Sequence, residues 1–315
     1  MQRADRTRRV KLHGLRILVA VADAGSISRA ADHLAISHPV VSRTISGLER
    51  TLGVRLFDRS ARGVEPTIYG RALLDCGIAV FDNLRQGVQR IESLSDPASG
   101  EIRLGSTEVM MAGFIPAVVD RLARKYPKLV LHTMQDENEP LHVALRERKV
   151  DLIITRRVQA RGEEFNTEML FDDPLLIVSG PRSPWAARRK ISLSELLGEL
   201  WITPVPDSVI GMLFARSFHS NGLELPKSNV ISNSLALRNH LLATGRYVSI
   251  LPRSMLLFGL RQPRVKILPV TLPGIDGPFE LVTLKNRMLS PAADLFIKGA
   301  REMARSIAGS AQGSE

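Results

Sequence analysis

The chain has 315 residues, enough for two domains that each bury a core. Its net charge of +11 favours a polyanionic partner, and residues 1–62 carry 12 Lys or Arg against 5 Asp or Glu. The single cysteine, Cys76, excludes an intramolecular disulfide, and no apolar run approaches the roughly 18 residues that span a bilayer. We therefore expect a cytoplasmic protein without a signal peptide and without membrane contact.

Residues 1–11 hold five basic residues and almost nothing apolar, a composition typical of a disordered arm. Such an arm either adds non-specific phosphate contacts or is a solvated tail without a role. A first helix is predicted from Leu12 to about Ala22, because leucines and other apolar residues recur there on one face.

The stretch from Ser26 to Arg50 predicts two short helices joined by a tight turn. Apolar residues recur at helical spacing in both: Ile27, Ala30, Ala31 and Leu34 in the first, and Val41, Ile45 and Leu48 in the second. Ser26 and Ser37 are suitable N-caps, Pro39 fits a first helical turn, and Gly53 ends the second helix. Two amphipathic helices this close are typical of a helix-turn-helix.

The polar side of the second helix carries side chains that can contact base edges and phosphates in a major groove: His38, Ser42, Arg43, Ser46 and Arg50. A solvated face inside an ordinary helical bundle is the alternative interpretation. Residues 52–67 then predict two short strands around a turn containing Arg and Gly, the wing of a winged helix. Arg55, Arg59 and Arg62 of this wing would face phosphates.

Residues 12–74 closely resemble the N-terminal DNA-binding domain of the LysR-type transcriptional regulators. The matched motifs run in order: Gly25-Ser26, Ala30-Ala31, Leu34, Ser37, Pro39-Val40-Val41-Ser42, Ile45, Leu48-Glu49, Leu52-Gly53, Leu56-Phe57, Arg59, Thr67 and Gly70. The family most often carries Gln before that proline, whereas this chain has His38, so its base preference cannot be copied from relatives. The candidate DNA contacts are Ser26, Ser37, His38, Pro39, Ser42, Arg43, Ser46, Arg50, Arg55, Arg59 and Arg62.

A long helix is predicted from a cap at Thr67 to about Leu94. Leu74, Phe81 and Val88 are spaced by seven residues, and Leu84 and Ile91 repeat the interval, which favours pairing with a second copy. Packing of this helix on its own domain is the alternative. The resemblance implies that residues 67–95 form the dimerising linker helix, between an all-α winged helix-turn-helix at 12–66 and an effector-binding domain at 96–315.

Beyond a hinge-like linker at 95–100, alternating strands and helices predict a mostly parallel, doubly wound α/β fold. Predicted strands are 102–104, 129–134, 151–155, 175–178, 200–203, 248–250 and 279–284, and predicted helices are 109–125, 140–148, 193–197, 209–220, 235–243 and 292–307. Two lobes joined by two crossovers place a ligand cleft between them. The resemblance implies the two-lobe architecture of type II periplasmic binding proteins, with lobe I at about 101–168 and 286–307 and lobe II at about 172–268.

The residues that follow predicted strands supply the candidate effector contacts. Arg156 is a candidate for a ligand carboxylate, since its planar fork can bind two oxygens, although a surface ion pair is the alternative. Ser106 and Thr107 suit an anion at a helix start, but they can equally be N-caps, and Glu108 would repel an anion. By position, the resemblance adds Val109 and Asn138, and Tyr247 stands where relatives often have a glycine. The complete set is Ser106, Thr107, Glu108, Val109, Asn138, Arg156, Pro204, Val205, Ser232, Ser234 and Tyr247.

Catalytic and metal-binding motifs are missing from the sequence, which has no Walker loop, HExxH or G-x-S-x-G and no histidines at metal-ligand spacing. We expect no enzyme activity, no cofactor and no metal.

The expected protein is a LysR-type transcriptional regulator that binds an inverted repeat in double-stranded DNA and responds to a small, anionic effector. The resemblance further implies a dimer through the linker helix, a tetramer through the effector domains and RNA polymerase as a candidate partner. A constitutive DNA-binding protein whose α/β domain only oligomerises is one alternative, and a small-molecule-binding protein or enzyme with a basic head is the other.

Overall fold

A computed structural model describes residues 7–60, 63–96, 98–157, 162–258, 265–270, 272 and 277–312. The side chains of Arg59 and of residues 308–312 are also outside the description. The chain divides into two compact units, Met1–Val88 and Gln89–Glu315.

The first unit is built on three helices, α1 (Leu12–Ala24), α2 (Ile27–Leu34) and α3 (His38–Leu52). Their apolar stripes form one core, which includes Leu18, Ala30, Val41 and Ile45, so the predicted helix-turn-helix is confirmed. Ser26 caps α2 by accepting a hydrogen bond from Arg29 N, and Gly53 ends α3 with a left-handed φ of 76°. Ser37 occupies the N-cap position of α3, but its side chain makes no capping hydrogen bond.

A two-stranded wing follows, formed by β1 (Phe57–Ser60) antiparallel to β2 (Gly63–Pro66). Thr67 then starts the long helix α4 (Ile68–Ser95), because its Oγ1 accepts from Gly70 N and donates to Arg55 O. The described part of the predicted basic arm departs from disorder, since residues 7–9 are helical.

The first sheet of the second unit has the strand order β4-β3-β5-β12-β6. Its strands are β3 (Ser99–Ser106), β4 (Lys128–Gln135), β5 (Leu152–Arg156), β6 (Phe165–Phe171) and β12 (Phe279–Leu284). Four helices accompany these strands: α5 (Glu108–Ala112), α6 (Phe114–Lys125), α7 (Asn138–Arg146) and the C-terminal α11 (Pro291–Gln312). Leu152 and Ile154 of β5 join one apolar cluster and Ile153 joins another, so both faces of this strand are buried and its sequence is continuously apolar.

The second sheet has the order β11-β7-β10-β8-β9 and forms lobe II. Its strands are β7 (Leu175–Ser179), β8 (Leu200–Thr203), β9 (Ser228–Ile231), β10 (Tyr247–Pro252) and β11 (Lys266–Ile267). The helices are α8 (Val209–Ser220), α9 (Leu235–Ala243) and α10 (Arg253–Phe258), with 3-10 turns at Pro184–Ala187 and Leu193–Leu196. Trp201 anchors the lobe, because it packs against Phe214 and Phe218 and donates its indole N–H to Leu196 O at 2.7 Å.

Several sequence-based expectations need correction. Each five-stranded sheet is mixed rather than mostly parallel, because β12 runs antiparallel to β5 and β6, and β7 runs antiparallel to β10 and β11. The helix predicted over 109–125 breaks at Gly113, which leaves Pro116 in the first turn of α6, where its missing N–H is harmless.

Strand β12 belongs to the lobe I sheet, so the second segment of that lobe begins at Phe279 rather than near 286. Strands β6, β9 and β11 and helix α10 were not predicted. None of the helices in the described ranges is long and apolar enough to cross a membrane.

Candidate functional site

One face of α3 is the first candidate site. Val41, Ile45 and Leu48 are buried, whereas Arg43 and Arg50 are exposed on the opposite side and His38 is exposed at the first residue of the helix. Arg43 Nε donates to Pro39 O at 3.2 Å, which holds this side chain along the helix surface near its N-terminus. The side predicted to meet DNA is therefore accessible within its unit.

The other predicted DNA contacts differ in accessibility. Ser37, Pro39 and Arg55 are exposed, and Ser42 and Ser46 are half-buried. Ser26 is half-buried and serves as a helix cap. Arg62 and the side chain of Arg59 lie outside the described residues.

The second candidate site is a cleft in the second unit. Thr107, Glu108, Val109, Asn138 and Arg156 of the predicted set line a cavity of about 50 Å³. The cavity wall also contains residues that the sequence did not predict: Glu137, Ser208, Val209, Ile210, Asn233, Arg238 and Phe279. A larger cavity of about 500 Å³ shares part of this lining and adds Val205, and its volume is in the range of small-molecule sites.

Arg156 is the buried cation among the predicted residues that line the smaller cavity. It ends β5, is only 2% exposed and lies over the ring of Phe279, with 4.5 Å between Cζ and the ring centroid. Its Nη1 donates to Asp173 O at 2.9 Å and to Gly277 O at 2.5 Å, so one end of the fork holds both chain crossovers between the lobes. Arg156 does form an ion pair, with 3.9 Å between Nη2 and Asp173 Oδ2, but both side chains are buried, so the pair is not on the surface as the alternative interpretation had it.

The other edge of the Arg156 fork is buried and makes no hydrogen bond within the described residues. Nε and Nη2 find no hydrogen-bond partner among the described residues. These two nitrogens lie on one edge of the guanidinium plane, the edge that binds a carboxylate with two parallel hydrogen bonds. Burial lowers the pKa of Arg156 to about 10, partly opposed by Asp173, so the group remains a cation at neutral pH. Burial raises the pKa of Asp173, although Arg156 and Ser254 act against this.

Two carboxylates of lobe I connect the lobes across the cleft. Glu108 accepts from the backbone N–H of Leu235 through both oxygens, each at 3.2 Å. Glu137 Oε1 accepts from Asn233 Nδ2 at 2.9 Å. Both acceptors therefore bind the segment that begins α9.

Six predicted effector residues do not line the smaller cavity: Ser106, Pro204, Val205, Ser232, Ser234 and Tyr247. Ser106 is fully buried and donates to Ile154 O at 2.5 Å, which ties β3 to β5. Ser234 caps α9, and Ser232 Oγ accepts from Ser234 N. Pro204 and Tyr247 do not line either cavity described above.

Most of the cavity residues that the sequence did not predict have no feature in the neighbouring sequence that marks them as ligand contacts. Arg238 lies inside a helix, and Phe279 begins a buried strand, so neither stands at the strand end where a ligand contact is normally sought. Ser208 had a local signal, because it caps α8 by accepting from Gly211 N and closely follows the predicted contacts Pro204 and Val205.

In the described ranges, no three His, Cys, Asp or Glu side chains are grouped to hold a metal ion. The lining of the smaller cavity combines the guanidinium groups of Arg156 and Arg238 with the carboxylates of Glu108 and Glu137, and both carboxylates accept hydrogen bonds from the segment that begins α9.

A winged helix-turn-helix, a long helix and a two-lobe α/β unit with a charged cleft define a class of ligand-responsive DNA-binding proteins. Residues 12–71 match the family model "Bacterial regulatory helix-turn-helix protein, lysR family", and residues 95–305 match "LysR substrate binding domain". The chain belongs to the LysR family of transcriptional regulators.

Known proteins resemble this chain over nearly its full length. The SDS degradation transcriptional activation protein of Pseudomonas sp. (strain ATCC 19151) is 30% identical over 292 residues, which cover 90% of this chain and 93% of that protein. Full-length OxyR from Pseudomonas aeruginosa, solved as a cysteine-to-aspartate variant, matches with a TM-score of 0.67 and 22% identity over 94% of this chain and 95% of that one. CbnR complexed with its target DNA matches with a TM-score of 0.65 and 18% identity over 93% and 100% of the two chains. At these identities the two structures establish a shared fold alone.

Proposed function

We propose that this regulator binds DNA by placing the polar face of α3 in the major groove, with two subunits reading an inverted repeat. The observation that carries this proposal is the exposure of Arg43 and Arg50 opposite the buried stripe of the same helix, together with the exposure of His38 at its first turn. The wing residue Arg55 is also exposed and supplies a phosphate contact. The structural relative CbnR has been solved on its target DNA, which supports this use of the shared fold.

DNA fragments that co-purify with the protein in cells provide the test. A fragment enriched in this way should bind with a Kd in the nanomolar range, and binding should weaken steeply with salt. Arg43→Ala should reduce specific binding at least 10-fold, whereas Arg216→Ala, an exposed arginine of α8, serves as the charge-matched control and should change it less than 2-fold. Equal affinity for enriched and random DNA contradicts the proposal.

The effector is a small anion that binds the free edge of Arg156. Two buried donors on one edge match a carboxylate, and the adjoining Asn138 and Thr107 add neutral polar groups to the same wall. An effector that binds one arrangement of the lobes more tightly shifts the population toward it and thereby changes the DNA-bound state.

A thermal-shift screen with small carboxylates tests this part. Some carboxylates should raise the Tm of the wild type. The same carboxylates should give a several-fold smaller increase in the Tm of Arg156→Lys, because lysine keeps the charge but cannot form the two-donor edge. The operator affinity without ligand should stay within 2-fold. If no anion shifts the Tm or the DNA affinity, the protein is a constitutive DNA-binding protein.

The proposal includes the assembly. A dimer forms through the exposed apolar side of α4, and effector domains pair to give a tetramer. RNA polymerase is the candidate partner for activation, and regulation of transcription places the protein in the cytoplasm.

A further inference from the structure

The carboxylate of Glu108, which by its charge alone would repel an anionic ligand, has a favourable neighbour across the cleft. Its two oxygens are each 3.2 Å from Leu235 N, the first backbone N–H of α9. A helix N-terminus has unpaired N–H groups and a partial positive charge, so it attracts carboxylates. Glu108 therefore behaves as an anion bound to lobe II, although it is attached to lobe I.

Arg238 gives independent evidence that this position is built for an anion. The side chain is 3% exposed and lines the same cavity as Glu108. Its Nη1 and Nη2 donate to Ile250 O at 3.4 Å and Ser232 O at 3.1 Å, but Nε has no hydrogen-bond partner among the described residues. A buried donor without an acceptor is costly unless a ligand supplies one.

The charges of the two side chains interact. Burial lowers the pKa of Arg238 to about 10, and the negative charge of Glu108 acts in the opposite direction. The cation at Arg238 and the N-terminus of α9 therefore form one electropositive position, and Glu108 is the carboxylate that faces it.

We propose that the N-terminus of α9 and Arg238 form a second anion subsite of the cleft, that Glu108 occupies it in the ligand-free protein, and that a carboxylate of the effector displaces Glu108. This inference rests on the proposed function, because it concerns the same cleft. The ligand then carries two anionic groups, one on the free edge of Arg156 and one in place of Glu108. Displacement breaks one connection between the lobes and leaves the bond from Glu137 to Asn233, so occupancy of the subsite is coupled to lobe movement.

Chemical rescue tests the subsite without knowledge of the natural effector. Glu108→Ala in the full chain removes a CH2–COO⁻ group, which acetate replaces in size and charge. We expect 100 mM sodium acetate at pH 7.5 to raise the Tm of E108A by about 2–4 °C relative to equal sodium chloride. The wild type, whose subsite is filled, should shift by less than about 1 °C.

Glu137→Ala is the matched control, because it also removes a carboxylate and a hydrogen bond between the lobes but leaves no helix N-terminus vacant. Its Tm should not respond to acetate beyond the wild-type shift. An equal response of all three proteins, or of E137A and E108A alone, overturns the proposal.

Glu108→Gln covers the case in which E108A does not fold. The amide oxygen can still accept from Leu235 N, but it carries no charge, so acetate displaces it more readily than it displaces a carboxylate. We expect acetate to raise the Tm of E108Q by more than that of the wild type and, where E108A folds, by less than that of E108A. The absence of an acetate response in every folded variant at this position overturns the proposal. Such a failure leaves the DNA-binding test and the Arg156→Lys test standing, so the two proposals can fail separately.

Discussion

Asp151 and Arg287 form an ion pair with both side chains fully buried, and Arg287 Nη2 lies 2.7 Å from Asp151 Oδ1. Asp151 Oδ2 also accepts from Arg103 N at 2.8 Å, and Arg287 Nη1 donates to Val150 O at 2.5 Å. The pair thereby ties strand β3, the start of β5 and the chain after β12, three segments that are far apart in sequence. The ion pair therefore joins the two chain segments that make up lobe I.

Removal of one partner should be strongly destabilising. Asp151→Ala leaves a buried guanidinium without its counter-charge, which costs about 3–5 kcal/mol of unfolding free energy. The exposed pair of Arg124 and Asp120, at 2.6 Å, is the control, since exposed pairs contribute about 0–1 kcal/mol. Urea unfolding of D151A and D120A measures both. Comparable losses of unfolding free energy in the two variants would show that the buried pair contributes no more to stability than the exposed pair.

Gly70 should be irreplaceable for a different reason, the close approach of α4 to the wing. A Cβ at this position would lie 2.0 Å from Leu56 O, so Gly70→Ala forces the backbone apart. We expect a loss of at least 2 kcal/mol in the stability of the first unit, by analogy with other overpacked sites. A Cβ on Gly47 of α3 meets nothing within 4 Å, so Gly47→Ala should instead stabilise by about 0.5–1 kcal/mol. In thermal unfolding, the Tm should fall in Gly70→Ala and rise in Gly47→Ala, and changes of the same sign would contradict this prediction.

Local periodicity made most of the fold predictable. The stripe of Val41, Ile45 and Leu48 and the cap at Gly53 depend only on neighbours within one helix, and both lie where they were expected. Strand β6 was missed because Phe165–Phe171 carries polar residues at its centre and is held at a sheet edge by pairing with β12, more than 100 residues later. The antiparallel direction of β12 likewise depends on the route of the crossovers, which has no local signature.

The candidate sites divide in the same way. The exposed side of α3 follows from helical spacing, and Arg156 follows from its place after a buried strand. The contact from Glu108 to Leu235 joins residues 127 positions apart and could not be seen in either segment. Glu108 alone suggested repulsion of anions, and only the position of α9 shows that its charge already has a favourable neighbour.

The linker helix should control assembly. Leu84, Ile91 and Leu94 of α4 are 49%, 67% and 80% exposed, an apolar stripe that a second copy would cover. Ile91→Lys should break the proposed tetramer into dimers that are held by the effector domains alone, as measured by sedimentation at micromolar concentration. Ser93→Lys, on the same turn but off the stripe, is the control. A tetramer that persists in I91K would show that the stripe on α4 does not hold the subunits together.

Gly277 should be required for the effector response although it lacks a side chain to bind one. A Cβ there would lie 2.7 Å from Arg156 Nη1 and 3.1 Å from a methyl group of Leu213, so alanine would push the guanidinium off both crossover carbonyls. We expect Gly277→Ala to raise the anion concentration needed for half-maximal thermal shift at least 10-fold, because the free edge of Arg156 no longer faces the cleft correctly. Gly198→Ala is the control, since a Cβ at Gly198 meets nothing within 4 Å. Operator affinity without ligand should be unchanged in both variants, and an unaltered anion response in G277A would show that the contacts of Arg156 with the crossovers do not position it for the ligand.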